Sequence, residues 1–253
     1  MIIVKGIKIK TKKKMFNLFE TLISAKYEFK DGDILVLSSK FVSMSEGSIV
    51  DLRKIRPSSK AKNLAKNYQM NPSFVEVVIR ESDVIFGGLP GFLLTIKNGI
   101  LAPNAGIDKS NIPSNYVICL PINPFISAEN LRMEFLIRSG IKVGIVISDS
   151  RLMPTRIGTT GVAIGCSGIE PVEDQRGKKD LFGHIMKFTL KATADALATI
   201  GTFVMGESNE AVPLVVIRGS NISFTDRKLC WKDFAIDYET DLYFRGIQNF
   251  AIK

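Results

Sequence analysis

An α+β fold, made of mixed sheets with helices packed on them, is predicted by three observations. The 253 residues are 45% hydrophobic and 23% charged, ordinary globular values for a chain long enough to bury a sizeable core. Short β-branched runs suited to buried strands occur along the whole length, with residues 143–148 the clearest of them. Between these runs lie segments with apolar residues at helical spacing, and no internal repeat or low-complexity linker marks a domain boundary.

Residues 2–9 alternate loosely and form the first predicted strand. Phe16, Phe19, Leu22 and Ile23 have the spacing of a helix over 15–25. The turn Asp31-Gly32-Asp33 leads into a buried strand at 34–37. That strand runs out into hydroxyls, Lys40 and Gly47, a composition suited to phosphate or ribose but without the spacing of a Walker loop. Helices are predicted at 58–68, with a hydroxyl N-cap, and at 72–80, with proline near its start. Strands at 84–86 and 92–96 flank the cluster Gly87-Gly88-Leu89-Pro90-Gly91, which reads as a turn. A short strand at 100–102 precedes the polar segment 104–111, and another strand lies at 117–120. Ser127 is the predicted cap of a helix over 128–138. After the 143–148 strand and a turn-rich stretch at 170–180 comes the longest helical pattern, 181–205, then the polar loop 206–211 and a strand at 212–218. The tail from Ser220, with the sole tryptophan Trp231, reads as irregular.

No apolar run approaches a membrane span. At the start, apolar residues precede the lysines, the reverse of an export signal. Three scattered cysteines, Cys119, Cys166 and Cys230, form neither a disulfide framework nor a metal motif, and a reducing cytoplasm is expected. The net charge of +9 favours anionic partners, whether nucleic acid, a nucleoside triphosphate or a carboxylate-rich substrate. The basic cluster Lys8, Lys10, Lys12, Lys13 and Lys14 has no interleaved aromatics and reads as a solvated strand edge rather than a single-strand binding surface.

Asp149 and Ser150, just past the 143–148 strand, admit two readings. An isolated Ser-Asp-Ser commonly caps a turn. The end of a buried strand is also where open sheets place ligand chemistry. Recurrence keeps the second reading open, because Asp108, Asp149 and Glu207 each stand in a polar segment beside an apolar one. Carboxylates from separate loops, with a hydroxyl such as that of Ser150, suit a hard divalent cation whose shell is completed by water and phosphate. The single histidine, His184, and the lack of a cysteine pair argue against a protein-only zinc site, and His184 is read as structural.

The segments NAGIDKSN, ISDS with PTRIG, VAIGCSG, RGKKDLFG, MGESNEAVP and VVIRG stand in the order and spacing of the coenzyme F420-0:L-glutamate ligases. DGDILVLSSKFVSMSEG, RPSSKAKNLA and FVEVVIRES upstream are similar to the same family, so the resemblance runs over residues 2–219. It implies an unusual, family-specific α+β fold, homodimers, a ligase-like domain over 1–219 that admits two interleaved subdomains, and a tail, 220–253, packed on it. It also implies a reaction in which GTP activates a carboxylate of the deazaflavin acceptor F420-0 as an acyl phosphate. The amine of L-glutamate then displaces phosphate to form a γ-linked amide. Two divalent cations, magnesium or manganese, are implied, with potassium as a further ion; neither membrane nor nucleic acid is an expected partner.

Position by position, the resemblance places Asp108 and Asp149 at the first metal, and Ser150 (typically threonine in the family) and Glu207 at the second. Ser39, Lys40, Asn111 and the run Met205, Gly206, Glu207, Ser208, Asn209, Glu210, Ala211 and Val212 match guanine-nucleotide contacts. Asp149 and Arg156 are the catalytic candidates, and Arg156 and Arg218 match recurrent basic positions suited to phosphate or carboxylate. Two departures stand out. Met44 replaces a lysine usual in the nucleotide region, and Arg151 replaces a small or polar residue, offering a compensating charge. The family's early Gly-Asp-Asp is absent as well. These departures leave two alternatives to F420-0 ligation: a paralogue that joins an amino acid to another carboxylate, and a non-catalytic nucleotide- or nucleic-acid-binding protein.

Overall fold

The computed structural model describes residues 1–10 and 15–248, so Lys12, Lys13 and Lys14 of the basic cluster lie outside the described residues. In chain order the strands are β1 (Ile3–Ile7), β2 (Ile34–Ser38), β3 (Ile49–Asp51), β4 (Val84–Leu89), β5 (Phe92–Lys97), β6 (Ile100–Pro103), β7 (Tyr116–Ile118), β8 (Gly144–Leu152), β9 (Thr159–Ser167), β10 (Val172–Asp174), β11 (Leu190–Ala192) and β12 (Leu214–Arg218). The α-helices are α1 (Leu18–Ile23), α2 (Ser39–Glu46), α3 (Ser59–Asn67), α4 (Pro72–Glu81), α5 (Pro124–Glu134), α6 (Thr193–Met205) and α7 (Leu242–Gln248).

Five strands form the main sheet in the order β1-β12-β2-β8-β9. Only β2 and β8 run parallel; the other pairs are antiparallel. Both faces are covered, which is why the central strands read as continuous apolar runs. Leu35, Leu37, Ile145 and Ile147 join one core with Phe19, Leu131 and Phe135 from the α1 and α5 side. Ile34, Val36 and Val146 alternate to the other face and meet Ala194, Leu197 and Ala198 of α6. Helix α6 lies very close to the sheet: a Cβ on Gly161 would stand 2.3 Å from the Ala198 carbonyl, and one on Gly201 2.4 Å from Val36. A third core packs α3 and α4 against the antiparallel β4-β5-β6 sheet and the β3-β7 pair, with Phe74 and Leu93 at its centre. Helices with several mixed and antiparallel sheets make the fold α+β, as the sequence predicts.

Several elements differ from the sequence reading. The segment after β2 is helical, not a loop, and ends on Gly47 at φ +76°. Asn123, not Ser127, caps α5, whose first turn then accommodates Pro124. Two of the glycines read as a turn, Gly87 and Gly88, are part of β4, and only Pro90 and Gly91 turn the chain. The predicted helix over 181–205 is helical only from Thr193; residues 190–192 pair with β10, and Leu181, Phe182 and Phe188 are exposed. His184 therefore lies in a loop, its Nδ1 3.3 Å from Asp180. Strand β8 continues past Ser148 to Leu152 because β9, unassigned in the sequence reading, pairs with it as far as Thr159.

The tail runs from α5 to the outer side of β4. Trp231 packs edge-on against Phe125 of α5 at 5.0 Å, and Tyr238 and Phe244 pack against Phe86 of β4 at 5.7 and 5.1 Å. No helix among the described residues is long and apolar enough to cross a membrane.

Candidate active site

A cleft of about 920 Å³ opens at the carboxyl ends of the parallel pair β2 and β8, the location at which open sheets usually bind ligands. It gathers most residues singled out from the sequence. Ser39, Lys40, Asp108, Asn111, Asp149, Ser150, Met205, Gly206, Glu207, Ser208, Glu210, Ala211 and Val212 all line it. Asn209 is exposed on the same loop but is not part of the wall, and Arg156 is exposed in the loop joining β8 to β9, also outside it.

Register explains the meeting. Ser38 pairs with Ser148, so Ser39, the first residue of α2, and Asp149 of β8 each directly follow the last paired residue of the parallel pair. The Ser39 hydroxyl donates to Asp149 Oδ1 at 2.6 Å. Alternation sends the neighbours of Asp149 to the opposite face: Ser148 bonds Thr202 at 2.8 Å, and the Ser150 hydroxyl donates to Glu207 Oε1 at 2.8 Å. Thr159, across the hairpin, reaches the same Glu207 oxygen at 3.2 Å. Thr159 was not singled out from the sequence, and only its pairing with Leu152 brings it here.

Asp108 arrives on a different support. Asn104, Ala105 and Gly106 take φ values of +52°, +57° and +69°, a left-handed turn that two non-glycine residues adopt at a cost. Side chains hold it: the Thr95 hydroxyl accepts from the Ala105 amide at 2.8 Å, and Asn104 Oδ1 accepts from the Leu93 amide at 2.9 Å. Beyond this turn Asp108 pairs with Lys40 Nζ at 2.6 Å, and Lys40 also donates to the Ser110 hydroxyl at 2.6 Å. Asn111 donates to the Ser208 carbonyl at 2.9 Å and links this loop to the one after α6.

Electrostatically the cleft is an acidic centre with one close cation, Lys40, among the described residues. Burial pushes the Asp149 carboxyl up to about 6; the Ser39 hydrogen bond opposes the rise, while Asp108 and Glu207 add to it through like charge. Among the described residues, no three carboxylate, histidine or cysteine side chains converge closely enough to enclose a metal on their own. The donors present are oxygens (Asp108, Asp149, Ser150, Glu207) distributed around an open cleft. That set fits magnesium or manganese, which take one or two carboxylates and leave positions for water and phosphate.

Two basic residues sit elsewhere than anticipated. Arg218 lies at the opposite end of the sheet, where its guanidinium grips the fully buried Asp33 at 2.6 and 2.7 Å. Its partner is a carboxylate, but a structural one. Arg151 is not part of the cleft wall; its guanidinium contacts Met153 Sδ at 3.4 Å, so it does not make up the charge absent at Met44, which does line the cleft.

The comparisons agree on one family. The model of the F420-0:Gamma-glutamyl ligase family matches residues 4–219. A coenzyme F420:L-glutamate ligase of Methanocaldococcus jannaschii is 43% identical over 213 residues, covering 84% of each chain. Those of Methanopyrus kandleri and Archaeoglobus fulgidus are 41% and 38% identical, covering 78% and 80% of this chain and 79% and 81% of their own.

Proposed function

Because this chain belongs to the F420-0:gamma-glutamyl ligase family, we propose that it uses GTP to join L-glutamate to the deazaflavin acceptor F420-0 through a γ-linked amide. The observation that carries this reading is the convergence of Asp108, Asp149 and Glu207, from three separate parts of the chain, on one cleft at the ends of β2 and β8. Phosphoryl transfer asks little covalent chemistry of a protein; it asks for positioning and for neutralisation of charge. An acceptor carboxylate oxygen attacks the γ-phosphate, GDP leaves, and the glutamate amine then attacks the acyl phosphate and expels inorganic phosphate.

Asp108 and Asp149 would hold one divalent cation, and Ser150 and Glu207 a second. When bound, these ions neutralise phosphate oxygens and orient the transferred group. Lys40, tethered to Asp108 and Ser110, adds positive charge on the same wall. Ser39 fixes the orientation of the Asp149 carboxylate, and Asn111 holds the two loops matched to the nucleotide in register. Arg156, on the exposed β8–β9 loop, is proposed to pair with substrate carboxylate or phosphate. The active form is proposed to be a homodimer, supported by the nearly full exposure of Phe182, Phe188 and Phe203.

A second reading draws on Met44. A thioether where the resemblance expects an ammonium removes a positive charge from that part of the cleft, a change that suits a different carboxylate acceptor or a different nucleotide. One assay separates the two. Purified protein with magnesium or manganese, GTP, L-glutamate and F420-0 is expected to yield acceptor heavier by one or more glutamyl units, with GDP released in step. Metal-dependent GTP binding without product overturns F420-0 as the acceptor, and no nucleotide binding overturns the ligase reading.

A further inference from the structure

We propose that Phe92 is a specificity-determining residue whose ring forms the stacking surface for the planar heteroaromatic part of the acceptor, and that Asn104 is the residue positioning it. This rests on the ligase reading above and assigns one part of the cleft to one substrate.

Phe92 is an apolar ring left in solvent where it lines the cleft: 54% of it is exposed. It opens β5 directly after the Pro90-Gly91 turn, with Gly91 at φ +87°. A hairpin tip carrying an exposed ring is ordinarily loose, yet here the backbone is fixed on both sides of the ring. The Gly91 amide donates to the Tyr68 carbonyl at 2.7 Å, and the Leu93 amide donates to Asn104 Oδ1 at 2.9 Å. Asn104 Nδ2 in turn reaches the Gly91 carbonyl at 3.5 Å. One buried amide side chain thus spans the residues before and after Phe92.

Asn104 also begins the left-handed turn that delivers Asp108. The same residue therefore sets the ring of Phe92 and the carboxylate of Asp108 relative to each other, at +52° of φ that an asparagine tolerates better than most residues. The β4–β5 hairpin is not among the segments matched to the nucleotide, and the loop after α6, Ser39 and Lys40 already account for that ligand. The remaining aromatic substrate is the deazaflavin. An extended planar ring system gains most from an apolar face held rigid before it binds.

The test is steady-state kinetics with F420-0, GTP and L-glutamate varied in turn, together with equilibrium dialysis of F420-0 alone. Phe92→Leu keeps an apolar side chain and removes the ring; it is expected to raise the KM for F420-0 by about tenfold, the scale of aromatic stacking on a planar base. The KM for GTP and kcat at saturating F420-0 stay as in the unchanged protein. Phe92→Trp is expected to restore the dialysis affinity. Asn104→Ala is expected to lower both F420-0 affinity and kcat, since it frees the ring and the Asp108 turn together. An unchanged F420-0 KM in Phe92→Leu, or a rise confined to GTP, overturns the assignment. An unchanged protein that makes no product from F420-0 overturns the ligase reading instead, and the two failures are distinct.

Discussion

The Ser39 hydroxyl and the Asp149 carboxylate meet at 2.6 Å because two parallel strands end in step, one turning into a helix and the other continuing into a hairpin. The bond holds a carboxylate in a place that disfavours its charge: burial raises Asp149 to about 6 even with the Ser39 proton in attendance. Such displaced carboxylates gather at working sites.

Asp149→Asn is therefore expected to stabilise the metal-free protein at neutral pH. The folded-state value, about 6, lies above the ordinary aspartate value of 3.8, so between the two the folded state binds the extra proton and stability falls as pH rises. Below about pH 4 the original and the variant converge. The gain at pH 7 is on the order of 1–2 kcal/mol, less than the full shift implies because the side chain keeps a solvent-facing edge. Thermal melts across pH 4 to 8, in chelator, check this. A variant less stable at pH 7 contradicts it.

The same titration predicts how metal binding varies with acidity. A carboxylate must be deprotonated to bind a cation, so apparent manganese affinity is expected to fall steeply as pH drops through about 6. Glu207→Gln removes a charge that Ser150 and Thr159 both address, and is expected to weaken manganese binding in the presence of GDP by about tenfold or more. Calorimetric titration at two pH values reads both effects. Equal affinities in Glu207→Gln and the original would remove Glu207 from the site.

Arg218 yields the opposite expectation. Arg218→Met leaves Asp33, which has no exposed surface, without its guanidinium, and breaking a buried pair on one side is strongly destabilising. The melting temperature is expected to drop by several degrees while kcat/KM of the folded fraction is unchanged, because the pair sits at the far end of the sheet from the cleft. A selective loss of activity at full stability would return Arg218 to the substrate.

The sheet was legible in the sequence where burial alone decides it. Residues 34–37 and 143–147 carry apolar side chains to both faces in short β-branched runs, the pattern of a strand buried on both sides. The site was legible as a set of carboxylates in polar segments, but their convergence was not, since it depends on the β2–β8 register and on a left-handed turn at Asn104 that no composition announces. Helix α2 was missed because SKFVSMSE carries little apolar periodicity and its N-cap, Ser38, makes no side-chain cap bond. The helix over 181–192 was wrongly extended for the converse reason: Leu181, Ile185 and Phe188 keep helical spacing, yet all three are exposed, so their spacing records no core-facing stripe.

Those exposed residues bear on assembly. Phe182, Phe188 and Phe203 show 87%, 89% and 87% of their surface, values at which a lone chain would hold three aromatic rings in water. Covering rings of this size removes a large apolar area from solvent, and aromatic residues dominate the energy of protein interfaces. A homodimer that covers these rings is expected at micromolar concentration. Phe188→Ser with Phe203→Ser is expected to sediment as a monomer with unchanged secondary structure, since neither ring belongs to a core. Sedimentation velocity decides the matter: a monomeric unmodified protein, or a double variant that stays dimeric, removes these rings from the interface, and in the second case the contact must be sought elsewhere on the surface.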